Sequence, residues 1–145
     1  MNSKEIKFKK LQPEATTPTR GSEFSAGWDL YAVGEYEIAP GGMVKIHTGL
    51  AFEIPVNNFG GIFPRSGCAT KQGLRLANCV GVVDADYRGE VMVPLYNDSD
   101  EMQYVHNGNR IAQMIIIPYE SAGLIEADEL DDTERGDGGF GHSGV

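Results

Sequence analysis

The sequence predicts an all-β domain, a jelly-roll-like barrel or sandwich of short strands, and three observations predict it. Apolar and polar residues alternate over runs of about four to eight positions. Nineteen glycines and seven prolines break the chain every few residues. Nowhere do apolar residues recur with helical spacing between caps over a useful length. Many short strands separated by such breaks pack as two sheets or close on themselves. At 145 residues the chain suffices for one hydrophobic core and is too short to divide comfortably into two.

The elements follow in order. "EYEIAPGGMVKIHTGLAFEIP", residues 35–55, gives two alternating stretches about a Pro-Gly-Gly turn at 40–42. "GGIFPRSGCATKQG", 60–73, reads as a glycine-rich bend. "GVVDADYRGEV", 81–91, reads as a hairpin whose tip carries two carboxylates, an aromatic ring and a guanidinium between apolar strand ends. "GEVMVPLYNDSDEMQYV", 89–105, gives two strands around a polar turn. "RIAQMIIIPYE", 110–120, is rich in β-branched residues and reads as a buried strand ending at Pro118. "EADELDDTE", 126–134, holds six carboxylates, and "RGDGGFGHSGV", 135–145, holds five glycines. Alone, this last stretch reads as a disordered tail, because glycine loses the most entropy on ordering and little here could be buried in return. Yet Arg135, Phe140 and Ser143 supply a phosphate-pairing cation, a stacking ring and a hydroxyl, which suit a lid over a charged aromatic ligand.

A net charge of -9 argues against nucleic-acid or anionic-membrane partners, since either surface repels the protein on approach. Cys68 and Cys79 form neither a CxxC pair nor, with the scattered His47, His106 and His142, a zinc set. They read as unpaired thiols in a reducing compartment. The N-terminal stretch "MNSKEIKFKK" lacks the apolar core of a signal peptide, so a soluble, intracellular protein is expected.

Three further features carry chemistry. The order Arg65, Ser66, Gly67 lacks the lysine followed by serine or threonine of a Walker A loop, which excludes that reading. It nevertheless suits an anion, with a guanidinium fork, a hydroxyl and a closely approachable amide. Asp29 lies among apolar and aromatic residues and needs a turn, a hydrogen bond or a cation. Gln113, a polar residue in an apparently two-face-buried strand, must also find a partner.

Together the stretches "SAGWDLYA", "PRSGCATKQG", "NCVGVVDADYRGEV", "NRIAQMIIIP" and "RGDGGFGHSG" resemble, in this order and at these separations, the five motifs of the trimeric deoxyuridine triphosphate nucleotidohydrolases, the dUTPases, and span residues 25–144. The resemblance implies a jelly-roll domain over 1–134 and a homotrimer with active sites at subunit interfaces. A flexible glycine-rich arm, 135–145, would close over a neighbour's site. It implies hydrolysis of dUTP to dUMP and pyrophosphate with Mg2+, limiting uracil in DNA and supplying dUMP for thymidylate synthesis. By motif position, Asp84 would deprotonate the attacking water. Asn78 and the backbone at Gly81 and Val83 would read the uracil edge, with Tyr87 under the deoxyribose. Arg65, Ser66, Gly67 and Gln113 would contact the phosphates. Mg2+ would be bound mainly by those phosphates, and Asp29 and Gln113 would reach it only through water. Arg135, Gly141, His142 and Ser143 would meet the outer phosphates while Phe140 covers the base. Asp86 and Arg88 would support the hairpin or the interface rather than react.

A two-stranded hairpin presents main-chain donors and acceptors at fixed spacing, so its tip would pair with uracil, whereas cytosine offers the reverse pattern. A buried mismatch of that kind rejects an analogue by ~10⁴-fold. A thymine methyl would collide with backbone, and a ribose 2′-hydroxyl with Tyr87. The chain departs from the family at Trp28, where tyrosine is usual, and at His142-Ser143, where serine-threonine is usual; His142 would add a pH-dependent phosphate contact. Cys68 stands for a common apolar residue and packs. The related deoxycytidine triphosphate deaminases share the jelly roll and are separated by ammonia release from dCTP. A nucleotide-switched binding module or a structural jelly roll is the reading from another class, and a regulatory protein partner is left open.

Overall fold

The computed structural model describes residues 5–144, so the first four residues of the expected 1–134 unit and Val145 of the expected arm lie outside the described residues. In chain order the elements are β1 (Lys7–Lys10), β2 (Trp28–Tyr31), β3 (Tyr36–Ile38), β4 (Met43–His47), β5 (Leu50–Glu53), β6 (Asn58–Phe63), α1 (Ser66–Gln72), β7 (Leu74–Leu76), β8 (Gly81–Val83), β9 (Met92–Asn97), β10 (Gln103–Val105) and β11 (Arg110–Pro118). They form four antiparallel sheets: β1 with β5, β10 with β3, a four-stranded sheet in the order β2, β11, β6, β8, and a three-stranded sheet in the order β4, β9, β7. The fold is mostly β, and the expectation of no helix is corrected by α1.

Period-two patterning explains how one core serves these sheets. In β9, Val93, Leu95 and Asn97 point inward while Met92 is exposed. Leu30, Ile38, Ile46, Leu50, Ile62 and Leu76 join Val93 and Leu95 in a single apolar cluster. Each fully buried aliphatic side chain contributes about 1.5–3 kcal/mol. Asn97 is wholly buried yet satisfied: its Nδ2 donates to the Ile38 carbonyl (2.8 Å) and the Glu101 carbonyl (2.7 Å), and its Oδ1 accepts from the Ser99 amide (2.9 Å).

Several strand expectations change. Residues 35–55 hold three strands, because Gly49 turns the chain at φ 67° between β4 and β5. The two strands of 89–105 exist as β9 and β10 but pair elsewhere, β9 with β4 and β7, β10 with β3. The hairpin expected over 81–91 is overturned: β8 pairs with β6, and β9 lies in the three-stranded sheet, so residues 84–90 cross between sheets. The strand expected at 110–120 is present as β11, although Ile115, Ile116 and Ile117 are only half-buried. Among the described residues no helix is long and apolar enough to cross a membrane.

Candidate functional site

Two groups of expected residues assemble in separate places. β7 is the outer strand of the three-stranded sheet and β8 the outer strand of the four-stranded sheet. Residues 77–80 join them, yet each pairs away from the other, β7 with β9 and β8 with β6. The turn is held by the Cys79 amide on the Leu76 carbonyl (3.0 Å) and the Val80 amide on the Asn78 carbonyl (2.7 Å), with Cys79 at φ 64°. Each strand therefore leaves one edge without a ladder partner among the described residues, with main-chain donors and acceptors open along it. Between them lies a cleft of about 310 Å³ lined by Leu76, Asn78, Gly81, Val83, Asp84 and Tyr87 among others.

The crossing segment shapes the mouth of this cleft. The Tyr87 amide donates to the Asp84 carbonyl (3.1 Å), closing a turn that leaves the Asp84 side chain exposed in the cleft. Tyr87 Oη donates to the Glu90 carbonyl (2.9 Å), and the Glu90 carboxylate sits 2.7 Å from His47 Nδ1. Arg88 donates to the Ala85 carbonyl (2.7 Å) and the Tyr87 carbonyl (3.1 Å) within the crossing segment. Val91 anchors the end: its amide donates to the Leu50 carbonyl (2.8 Å), and its carbonyl accepts from Thr48 Oγ1 (2.5 Å).

The second group surrounds a cavity of about 270 Å³ lined by Gly27, Asp29, Arg65, Ser66, Arg110 and Gln113 with Gly21 and Ser25. β2 and β11 place Asp29 directly opposite Gln113. Arg65 Nε donates to Asp29 Oδ1 at 2.9 Å, and Arg110 Nη1 lies 3.5 Å from Asp29 Oδ2. The carboxylate, 14% exposed, thus has the cation it requires. Because Asp29 occupies the Nε edge of Arg65, an anion would meet that fork end-on through the two Nη nitrogens. Gln113 Nε2 donates to the Pro64 carbonyl (3.1 Å), the partner its burial demanded. Gly27 leaves room for the Gln113 side chain: a Cβ on it would lie 2.5 Å from Gln113 Oε1 and 3.1 Å from Gln113 Cβ.

Arg65 precedes α1 in an extended conformation, so the bend expected at 60–73 becomes a turn into a two-turn helix that ends at Gly73, φ 67°. Gly67 is not among the residues lining this cavity; it lines a neighbouring cleft that Arg65 also lines. Cys68 packs beneath, where burial pushes its thiol pKa up and the Arg65 guanidinium offsets part of that rise.

The residues expected to form the arm lie with neither group. Arg135 Nε donates to the Gly138 carbonyl (2.6 Å), the His142 amide to the Gly139 carbonyl (2.7 Å) and the Gly144 amide to the Gly141 carbonyl (3.0 Å). This run of turns leaves Phe140 and Ser143 exposed. Among the described residues no cluster of three or more His, Cys, Asp or Glu side chains could hold a metal directly. A single carboxylate already paired with two guanidiniums suits a cation that arrives on phosphates and keeps its waters, as Mg2+ does. Arg110, Gly27, Leu76 and Glu90 were not anticipated as lining residues. Arg110 stands three places before Gln113 in "NRIAQ", the one signal that could have found it.

Comparison with known proteins places this arrangement among nucleotide hydrolases. The dUTPase family model matches residues 13–144. The deoxyuridine 5'-triphosphate nucleotidohydrolase of Syntrophotalea carbinolica is 45% identical over 141 residues, covering 96% of this chain and 96% of that protein. The enzyme of the same name from Nautilia profundicola is 46% identical over 139 residues, covering 96% and 98%. The structure of Staphylococcus bacteriophage 80alpha dUTPase with dUPNHPP is similar with a TM-score of 0.92 at 27% identity, covering 99% of this chain and 100% of that one.

Proposed function

The chain belongs to the dUTPase family, and from that premise we infer that it hydrolyses dUTP to dUMP and pyrophosphate, limiting uracil in DNA and supplying dUMP for thymidylate synthesis. The observation that carries the mechanistic part is the cleft between the unpaired edges of β7 and β8, with the Asp84 carboxylate exposed in it. Strand edges hydrogen-bond a nucleobase as they would another strand, and their fixed spacing makes the pairing selective. In this reading the edges at Asn78, Gly81 and Val83 take the uracil and Tyr87 lies under the deoxyribose. Cytosine leaves buried groups unpaired there, a thymine methyl meets backbone, and a 2′-hydroxyl meets the Tyr87 ring.

Asp84 then holds a water in line with the α-phosphorus and takes its proton. A positioned carboxylate base supplies about 10²–10⁴ of the rate, and alignment of the water supplies more. Arg65 meets the phosphates through its Nη nitrogens, Ser66 and the Gly67 amide donate to their oxygens, and Gln113 lies beside them. When bound, Mg2+ supplies charge neutralisation on the triphosphate as charge moves onto pyrophosphate, with Asp29 and Gln113 holding its waters. Arg135, Gly141, His142 and Ser143 close on the outer phosphates, and Phe140 covers the uracil. Closure excludes water and strengthens each contact.

The two groups line separate cavities in one chain, with no lining residue in common. That separation supports a homotrimer in which one copy supplies the base pocket, a second the phosphate corner, and an arm over 135–145 closes the site. The test is Asp84→Asn: affinity for a non-hydrolysable dUTP analogue stays within about twofold while turnover falls by at least ~10²-fold. Retained turnover would remove Asp84 from the role of base.

A further inference from the structure

In a regular strand Arg110 and Ala112 share one face and Ile111 and Gln113 the other. β11 departs from that alternation. Gln113 lies opposite Asp29 and Ala112 opposite Leu30, but Arg110 lies opposite Tyr31, so Ile111 is an extra residue in the ladder. This bulge transfers Arg110 to the face that carries Asp29, Tyr31 and Gln113, while Ile111 is buried at 2% exposure. The guanidinium consequently reaches Asp29 Oδ2 at 3.5 Å, opposite the Arg65 Nε that holds Oδ1 at 2.9 Å. Two guanidiniums around one carboxylate leave one net positive charge beside Ser66 and Gln113. Were Arg110 missing, Asp29 would cancel Arg65 and the corner would be neutral.

We propose that Arg110 is a positioning residue: it neutralises the second oxygen of Asp29, so that Asp29 orients the Arg65 fork without cancelling the charge that the fork presents to phosphate. The inference rests on the hydrolase reading for the identity of the anion. It assigns Arg110 an action through Asp29 and Arg65 with no contact to the nucleotide, and the bulge at Ile111 is the device that delivers it.

The test measures binding of α,β-imido dUTP with Mg2+ by calorimetry to the full chain carrying Arg110→Gln, Arg110→Lys, Asp29→Asn, or Asp29→Asn with Arg110→Gln. Deoxyuridine, which has no phosphate, serves as the neutral control by NMR titration. Arg110→Gln is expected to weaken the analogue about tenfold at low salt, Arg110→Lys less than about threefold, and deoxyuridine not at all. In the Asp29→Asn background the further loss of Arg110 should cost clearly less, about threefold, because Arg65 no longer has a carboxylate holding it and only the general charge of Arg110 is removed. Unchanged analogue binding in Arg110→Gln overturns the proposal. So does a parallel loss of deoxyuridine, which marks a structural role, or a full tenfold loss in the Asp29→Asn background, which marks direct phosphate contact. Turnover of dUTP by the unaltered chain reads the hydrolase assignment separately: if it is absent while the binding series holds, the function fails and the charge relation stands.

Discussion

At the scale of the residue, chemistry is set by what each polar group must do to be tolerated. Asp29 stands among apolar neighbours and is acceptable because two guanidiniums hold its oxygens. Gln113 is acceptable because the Pro64 carbonyl takes its amide proton. Both demands were legible in the sequence as polar residues in apolar runs. Gly27 and Arg110 were not, since their roles depend on which strand lies opposite and on one inserted residue, neither of which a local pattern encodes. Gly27 makes a direct prediction. In Gly27→Ala the new methyl presses on the Gln113 side chain, whose far end can move, so the melting temperature should shift by only a few degrees while KM for dUTP rises roughly tenfold. Steady-state kinetics beside a thermal melt check this; an unchanged KM would remove Gln113 from the phosphate corner.

At the scale of the element, the strands were visible and their partners were not. Alternation in "VMVPLY" marks β9 whether it pairs with β8 or, as found, with β4 and β7. The carboxylates, ring and guanidinium of 84–90 suggested a hairpin tip, but they occupy a crossing between two sheets, and the unpaired edges left behind at β7 and β8 form the cleft. Had β8 paired with β9 as well as with β6, its main-chain groups would have been taken on both edges. Helix α1 escaped notice because it is two turns long, has no side-chain hydrogen bond at its N-cap Arg65 and no acidic residue in its first turn. Its visible signals were Lys71 in the last turn and Gly73 beyond the end, where a left-handed conformation closes the helix. The helix carries Ser66 and Gly67 and buries Cys68, so tertiary packing rather than local propensity sustains it.

At the scale of the whole molecule, five ordered motifs over residues 25–144 made the family legible, while the arrangement of copies is not written in any one segment. The separation of the proposed base pocket from the proposed phosphate corner predicts complementation within the proposed trimer. Chains carrying Asp84→Asn and chains carrying Arg65→Gln are each inactive alone, yet refolded together one-to-one they should recover about a quarter of normal turnover, the fraction of interfaces where an intact pocket meets an intact corner. Failure to recover activity from well-formed mixed oligomers would place both groups of each site in one copy. Whether split strand edges select deoxyuridine for hydrolysis beside Asp84 is read from pyrophosphate release from dUTP, UTP, dTTP and dCTP with Mg2+. Rapid release from dUTP is expected, with rates lower by about 10⁴-fold for the other three. Comparable release from UTP or dTTP would contradict that selection.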